Sequence, residues 1–345
     1  MSTPPRAPTD APRASTAPPR RATHHARARV DRGPGFLPIG PALSFVRHVR
    51  EGMEAGRDPL SALAGAAGAL PSDLQTVLDR AIARFRGEYH EDEWGFDEEF
   101  TETVLPFFDL LYDRWWRVET TGARNVPSHG RALLVANHAG ILPWDATMMS
   151  VGLLREAPLP RYPRFLVLNW AFTLPYISAF LPKVGGVVAS PYNAMRLLEQ
   201  DELVAVFPEG VKGAGKDFKD RYRLQRFGRG GFVEMALHTG SPIVPVAIVG
   251  SEEIYPKIGS SDTLARAMGA PYFPITPTFP LLGPLGMVPL PSKWRIEYCE
   301  PIDLSGYGPD AAEDRTLVFE LSERVRDTIQ AKVYENLVAR GSAFI

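Results

Sequence analysis

The sequence predicts an α/β fold: a mixed, largely parallel sheet flanked by helices, with N-terminal helices before it and a long C-terminal helix after it. Between residues 117 and 310, short apolar runs of strand length alternate with segments of helical period. Segments with apolar residues at helical spacing precede this region. After it, large apolar residues recur every four positions, which indicates one long amphipathic helix.

The composition is that of a globular protein with a sizeable core. The chain has 345 residues, of which 45% are hydrophobic and 23% charged. A net charge of -2 argues against a dedicated nucleic-acid-binding protein, so we expect no nucleic-acid partner. The single cysteine, Cys299, excludes an internal disulfide, and no Cys/His cluster suggests a metal site. These features fit a cytoplasmic, metal-free protein.

The first 35 residues differ from the rest and are predicted to form a disordered basic tail. Residues 1–32 contain seven Arg and two Asp, with many Pro, Ala, Ser and Thr and almost no large apolar side chains. Such a segment buries too little apolar surface to fold, and without an apolar run it does not resemble a signal peptide. Its charge would attract it to an anionic membrane by about 1 kcal/mol per basic residue near the surface.

Residues 36–116 are predicted to be a helical region. Ser72 is a suitable cap for a helix that runs to about Arg86 and stops at Gly87, followed by acidic residues 88–93. A second helix is expected over 97–116, with Pro106 kinking it or ending its first half. Its aromatic residues are predicted to pack on the core, and the alternative is a helix lying at a membrane interface.

The alternation from residue 117 onward predicts seven strands and four helices. The expected strands are Arg117–Thr121, Ala132–Ala136, Arg164–Leu168, Gly186–Ala189, Leu203–Phe207, Ile243–Val249 and Arg295–Cys299. The expected helices are Pro143–Arg155, Trp170–Leu181, Pro191–Gln200 and Gly230–His238. A final helix over about Ala312–Val338, in the region 311–345, is expected to pack on this domain with one face: Leu317, Leu321, Val325, Ile329, Val333 and Leu337.

Residues 270–291 form an unusual apolar segment. They contain no charged residue, but seven prolines prevent a membrane-spanning helix. We therefore predict an extended apolar loop and favour contact with a membrane or a lipid. No stretch of about 20 residues is both apolar and free of helix breakers, so no transmembrane helix is expected.

A first candidate site follows the buried strand at 132–136. The apolar run stops at Asn137-His138, and after a glycine turn Asp145 falls in the first turn of the next helix. A histidine at a strand end with a nearby carboxylate is a candidate general base with its orienting partner. In α/β folds this end of the strands is where ligands usually bind.

A second candidate site follows the strand at 203–207. It continues Pro208-Glu209-Gly210, with Lys212 and Lys216 among small residues that are able to surround a phosphate. The same stretch fits GxxxxGK, which indicates a nucleotide-binding phosphotransferase or NTPase as an alternative. Asp217, however, stands where that motif needs Ser or Thr to bind magnesium.

A third stretch, Pro242-Ile243-Val244-Pro245-Val246, carries no function by itself, because its prolines only mark an edge or boundary of a strand. The chain contains no GxSxG, no HExxH and no GxGxxG after a strand. Serine hydrolases, zinc proteases of that type and dinucleotide enzymes therefore lack support.

Taken together, these stretches resemble the glycerolipid acyltransferase family of the lysophosphatidic-acid acyltransferase type. The resemblance covers about residues 115–300 and rests on four blocks in the family's order: Asn137-His138…Asp145, Gly185–Pro191, Phe207-Pro208-Glu209-Gly210-Val211-Lys212 and Pro242–Val246. Six residues, not the family's four, separate His138 from Asp145, so the loop between them must fold back.

The second block ends in Ser190-Pro191, where the family has Asp-Arg, and Lys212 replaces the family's Arg in the third block. In the family that second-block Arg helps to hold the acceptor's phosphate. A lysophospholipid, a diacylglycerol or another alcohol therefore remains open as acceptor, and Lys183 or Arg196 is a candidate for the missing charge.

The resemblance implies an O-acyltransferase that moves a fatty acyl group to the hydroxyl of a glycerolipid or lysophospholipid. The donor would be acyl-CoA or acyl carrier protein, with no bound cofactor or metal, and the enzyme would associate peripherally with a membrane. It implies His138 as general base, Asp145 as its partner, and a substrate-binding set of Asn137, Glu209, Gly210, Lys212 and Lys216. A lipid-binding protein that keeps the fold without catalysis is a further alternative.

Overall fold

A computed structural model describes residues 39–85, 90–140 and 142–344. The predicted tail at 1–35 and the predicted helix stop at Gly87 lie outside the described residues. The chain divides into two compact units at Gln75/Thr76, within a helix. In the first unit, α1 (Ile39–Glu54) and α2 (Pro59–Ala66) pack closely, because a Cβ on Gly52 would lie only 3.1 Å from that of Ala62.

The second unit contains a seven-stranded mixed sheet in the order β1-β9-β6-β2-β5-β3-β4. Strands β6, β2, β5, β3 and β4 run parallel, whereas β9 is antiparallel to β6 and parallel to β1. The strands of this sheet are β1 Glu119–Thr121, β2 Ala132–Ala136, β3 Arg164–Val167, β4 Gly186–Val188, β5 Leu203–Val206, β6 Ile243–Val249 and β9 Arg295–Tyr298. The predicted fold class is confirmed, with each predicted strand present to within two residues at either end.

The remaining helices belong to the second unit. They are α3 Ser72–Phe85, which begins in the first unit, α4 Glu98–Leu110, α5 Trp144–Glu156, α6 Ile177–Lys183, α7 Pro191–Glu199, α8 Gly210–Ala214, α9 Gly231–Thr239, α10 Asp262–Ala267 and α11 Arg315–Arg340. A second, two-stranded sheet pairs β7 Gly259–Ser260 with β8 Pro274–Ile275. Within the described residues, no helix combines the length and the apolar character that crossing a membrane requires.

Two apolar cores cover the two faces of the large sheet. One contains Met148 and Met149 of α5 with the aromatic residues Trp116, Trp294 and Tyr298, all fully buried or nearly so. The other packs α7, α9 and α11 on the opposite face. The predicted face of the C-terminal helix is confirmed, because its six apolar residues all belong to or pack against this second core.

One helix prediction needs correction, and one of two alternatives given for another is excluded. The helix expected over Trp170–Leu181 is a 3-10 turn, Asn169–Thr173, followed by α6, because Pro175 disfavours helical backbone at Leu174, which is extended at φ -82° and ψ 132°. Helix α4 runs through Pro106 to Leu110 and then becomes a π-helical turn, Leu111–Trp115, so Pro106 does not end it.

Candidate active site

The candidate catalytic pair lies just beyond the carboxyl end of β2. The His138 Nδ1 is 2.6 Å from Oδ2 of Asp145, although six residues separate the two. Gly140 provides the fold-back with a φ of +99°, a backbone conformation that glycine adopts without steric penalty. The same Asp145 oxygen accepts a hydrogen bond from Ala139 N at 3.0 Å, which closes the loop on the carboxylate.

Burial separates the roles of the two side chains. The Asp145 side chain is fully buried, whereas that of His138 is 19% exposed. When the Asp145 carboxylate accepts a hydrogen bond from Nδ1–H, the neutral imidazole carries its lone pair on Nε2, which points away from the carboxylate. The described residues provide no hydrogen-bond partner for Nε2, which therefore suits a proton acceptor for a bound hydroxyl.

The pKa of His138 reflects several opposing influences. Burial, the largest single influence, lowers the pKa, but the charge and the hydrogen bond of Asp145 and the charge of Glu209 together outweigh burial. The pKa of His138 consequently lies above its usual value of 6.5, and the nearby Lys216 ammonium limits this increase. The ring also packs against Phe207, with 4.7 Å between centroids and an angle of 38° between the ring planes.

Asn137 makes its contacts within the protein. Its side-chain amide donates to Ile248 O at 2.9 Å and accepts from Ile248 N at 2.8 Å, so it joins the end of β2 to β6. The residue is 2% exposed. Both polar atoms of the side chain are therefore engaged with the main chain of β6.

Glu209, which follows β5, links the end of β5 to the loop that follows β2. One oxygen accepts the His138 main-chain N–H at 2.9 Å, and the other accepts Gln225 N at 2.5 Å. Its side chain is fully buried and forms an ion pair with Lys216, whose side chain is 4% exposed. Both charged side chains therefore support the His138 main chain from inside the protein.

Gly210 and Lys212, in contrast, lie on the surface beside this site. Gly210 begins α8 with a φ of +54°, and a Cβ on it would meet no atom within 4 Å. Lys212 is exposed. The next residue, Gly213, packs against the catalytic loop, since a Cβ on it would lie 3.1 Å from the His138 carbonyl oxygen. Lys212 is thus a cation next to the candidate catalytic loop.

The geometry does not support the nucleotide-binding alternative. The GxxxxGK stretch forms the short helix α8, and Lys216 is buried between carboxylates. Asp217 pairs with Lys257 at 2.8 Å. Because Lys216 is buried in ion pairs with two carboxylates, it is not available to bind phosphate groups.

The candidate replacements for the missing second-block charge are also paired. Lys183 forms an ion pair with Glu91, and Arg196 lies 2.5 Å from Glu93. Ser190 instead caps α7 by accepting Asn193 N at 3.1 Å. The second block therefore ends in a helix cap.

An apolar cavity of about 100 Å³ lies beside the first turns of α5. Its walls come from α4, α5, α6, β3 and β4, and they include Pro143 and Thr147 close to Asp145, and Phe180 and Leu181 of α6. Phe180 and Leu181 belong to the segment predicted as a helix over Trp170–Leu181, and the other elements that enclose the space come together only in the fold.

Three residues at the site were not predicted to act there. Phe207 packs against His138, Glu252 pairs with Lys216, and the Tyr272 hydroxyl lies 3.5 Å from the Gly140 carbonyl. Phe207 stands within a motif, which was a usable signal. Glu252 and Tyr272 belong to no motif and reach the site only through the fold.

Comparison with known proteins identifies the family. A model described as Acyltransferase matches residues 117–249. An uncharacterized protein of Mycobacterium tuberculosis is 50% identical, over 80% of this chain and 78% of the relative. A Bos taurus protein named "DGAT1/2-independent enzyme synthesizing storage lipids" is 23% identical, over 67% of this chain and 64% of its own length.

Among solved structures, the chain is similar to 1-acyl-sn-glycerophosphate acyltransferase PlsC from Thermotoga maritima. That comparison has a TM-score of 0.46 and 18% identity, and covers 85% of this chain and 97% of the other. The family model and the 50% identical relative, together with the four ordered blocks, lead to one conclusion: this chain is an acyltransferase and belongs to the acyltransferase family of the lysophosphatidic-acid acyltransferase type.

Proposed function

We propose that this acyltransferase moves a fatty acyl group from a thioester, acyl-CoA or acyl carrier protein, to a hydroxyl of a glycerolipid or lysophospholipid. The observation that carries the proposal is the His138–Asp145 pair, with 2.6 Å between Nδ1 and Oδ2. A buried carboxylate that fixes one ring nitrogen leaves the other to accept a proton.

In this mechanism, Nε2 of His138 takes the proton of the acceptor hydroxyl while that oxygen attacks the thioester carbonyl carbon. The tetrahedral intermediate then expels the thiolate, which receives the proton from the imidazolium. Asp145 stabilises the imidazolium throughout, and no acyl group becomes attached to the protein. Asn137, Glu209 and Lys216 hold the histidine loop in place, whereas Gly210 and Lys212 lie where an acceptor head group would contact the surface.

The apolar cavity is the proposed site for the acyl chain. Apolar side chains line most of it, and it begins next to Pro143 and Thr147, within one helical turn of Asp145. A chain placed there would have its carboxyl end near His138. Burial of methylene groups contributes about 0.8 kcal/mol each, so the cavity would favour long acyl chains.

The acceptor is proposed to lack a phosphate monoester. Lys183 and Arg196 are both paired with glutamates, and Ser190 serves as a helix cap. The name of the bovine relative refers to storage lipids, which supports a lipid alcohol as acceptor. Lys212 would then contact a carbonyl, a hydroxyl or a phosphodiester.

Contact with a membrane surface is proposed through the apolar segment 270–291. Its Leu281 is 83% exposed and its Leu285 73% exposed. The segment is attached to the catalytic loop because Trp144 donates to the Tyr255 hydroxyl at 3.0 Å, which in turn donates to Met287 O at 2.7 Å. A membrane that contacts these leucines would present lipid acceptors close to His138.

An acceptor panel tests the proposal. Purified protein is given acyl-CoA with lysophosphatidic acid, a lysophosphatidylcholine, a monoacylglycerol or a diacylglycerol, and the free thiol is measured. We expect His138-dependent thiol release with a neutral or phosphodiester acceptor, exceeding that with lysophosphatidic acid. Acyl-CoA binding without turnover on any acceptor would instead support the non-catalytic lipid-binding alternative.

A further inference from the structure

Three buried charges lie behind the candidate catalytic loop. The Lys216 ammonium is 3.4 Å from Oε2 of Glu209 and 2.8 Å from Oε1 of Glu252. The side-chain exposures are 4% for Lys216, 0% for Glu209 and 8% for Glu252. An ammonium buried to this extent requires compensating carboxylates, and here it has two.

The two carboxylates also hold main-chain groups. Glu209 accepts the N–H groups of His138 and Gln225, while Glu252 accepts the N–H of Tyr222. The chain segment 222–225 is therefore held at both ends by this charged group. Through Glu209 the same group holds the main chain of the candidate general base.

Glu252 also lies close to the catalytic loop in space. The carbonyl oxygen of the preceding residue, Ser251, would lie 3.7 Å from a Cβ placed on Gly140. A small cavity of about 20 Å³ is lined by Ala139 and Gly140 on one side and by Lys216 and Glu252 on the other. The charged group and the loop thus line the same small cavity.

The charges around His138 oppose one another. Asp145 of α5 and Glu209 at the end of β5 favour the imidazolium, whereas Lys216, just after α8, disfavours it. Tyr272, which lies against Gly140, is uncharged at neutral pH because burial raises its pKa. Glu252 is the second carboxylate that balances the Lys216 ammonium, at 2.8 Å.

We propose that Glu252 is a positioning residue for acyl transfer. Through Lys216 it keeps Glu209 in place to accept the His138 main-chain N–H, and its charge offsets the ammonium charge that acts on the His138 imidazole. The inference rests on the proposed function of His138 as general base. Glu252 itself is not proposed to touch acceptor or donor, since its side chain is 8% exposed and its two oxygens accept from Lys216 and from the Tyr222 N–H.

The test is the pH profile of kcat/KM for Glu252→Gln. Glutamine keeps the shape and accepts one of the two hydrogen bonds, from the Lys216 ammonium or from the Tyr222 N–H, but it leaves the Lys216 charge balanced only by Glu209. The acidic limb is expected to move to lower pH by on the order of half a unit, with kcat reduced about tenfold and the acceptor KM within about twofold of wild type. In Lys216→Met/Glu252→Gln, where both charges are absent, the limb should return to the wild-type position or above it.

Glu253→Gln is the matched control. Glu253 is the next residue, is 2% exposed and pairs with Arg340 at 2.7 Å without contacting Lys216. It should lower the unfolding midpoint and leave the limb in place. If Glu252→Gln does not fold, Glu252→Asp, which keeps the charge on a shorter side chain, is expected to keep the limb and lower kcat.

An unmoved limb in folded Glu252→Gln, a double variant that keeps the shift, or a displaced limb in Glu252→Asp would overturn the inference. These outcomes are separate from failure of the proposed function. Full activity of His138→Ala would overturn both, whereas an inactive His138→Ala with an unmoved limb in Glu252→Gln would overturn only the role of Glu252.

Discussion

His138 Nδ1 and Asp145 Oδ2 lie 2.6 Å apart across a loop that closes on itself, because the same carboxylate oxygen also binds the Ala139 main chain. The carboxylate therefore both orients the imidazole and sets the conformation of the loop that carries it. Two extra residues relative to the family's spacing are accommodated without separating the pair.

If His138 is the general base, His138→Ala should reduce kcat by on the order of 10²–10⁴, the usual contribution of a positioned base. The measurement is thiol release from acyl-CoA at saturating acceptor. His129→Ala, which removes an exposed histidine, is the control and should retain wild-type turnover. Near wild-type activity of purified His138→Ala would exclude this mechanism.

The pH profile provides a second prediction. Because Asp145 raises the pKa of His138 against the effect of burial, the acidic limb of kcat/KM should lie above pH 6.5. Asp145→Asn removes the raising charge while burial still lowers the pKa, so the limb should move to lower pH. The raised pKa also contributes folding stability below about pH 6.5, which is lost as the pH rises through the folded-state pKa. A limb below pH 6 in the wild type would contradict this assignment.

Filling the apolar cavity should shorten the preferred acyl chain. Ser150 lines the cavity from α5, so Ser150→Phe should reduce activity with long-chain acyl-CoA more than with short-chain acyl-CoA. Relative kcat/KM across a series of chain lengths measures the effect. Ala179→Phe, at an exposed position of α6 outside the cavity lining, should leave the series unchanged. An equal loss at all lengths would argue that the chain binds elsewhere.

Asn137→Ala should destabilise the fold by roughly 2–4 kcal/mol, since it leaves the buried N–H and C=O of Ile248 without these partners. Urea unfolding with a comparison of m-values measures this change. Asn169→Ala, at an exposed position, is the control and should change stability by less than about 0.5 kcal/mol. Unchanged stability of Asn137→Ala together with a raised acceptor KM would restore the substrate-binding role inferred from the motif.

Membrane contact is tested by replacing the exposed leucines of the segment 270–291. Leu281→Ser combined with Leu285→Ser should weaken binding to phospholipid vesicles in a sedimentation assay, since both side chains are largely exposed. Turnover of a short-chain, water-soluble acceptor should be unaffected. Phe319→Ser combined with Val338→Ser, at exposed positions of α11, is the control. Vesicle binding that is the same in both double variants would reject this surface.

The sheet was largely predictable from the sequence because its central strands are buried on both faces. The apolar runs at 132–136, 203–206 and 243–249 have few other stable environments, and each begins directly after a polar residue or a proline. The direction of β9 was not predictable, because a strand's period does not specify which neighbour it joins. The helix at 170–181 was mispredicted because a single proline at 175 outweighed a continuous apolar pattern.

The sequence by itself determined the fold class, the family and the identity of the His138–Asp145 pair, since each depends on local order and spacing along the chain. Only the tertiary structure decided that the pair meets at 2.6 Å, and which polar residues are engaged inside the protein. The motifs predict substrate contacts for three residues whose polar groups have partners inside the protein, each at least 16 residues away in sequence. The pairs are Asn137 with Ile248, Glu209 with Gln225, and Lys216 with Glu252. A buried polar group forms its hydrogen bonds with whichever group the fold brings next to it, and the spacing of residues in a motif does not specify which distant residue that is.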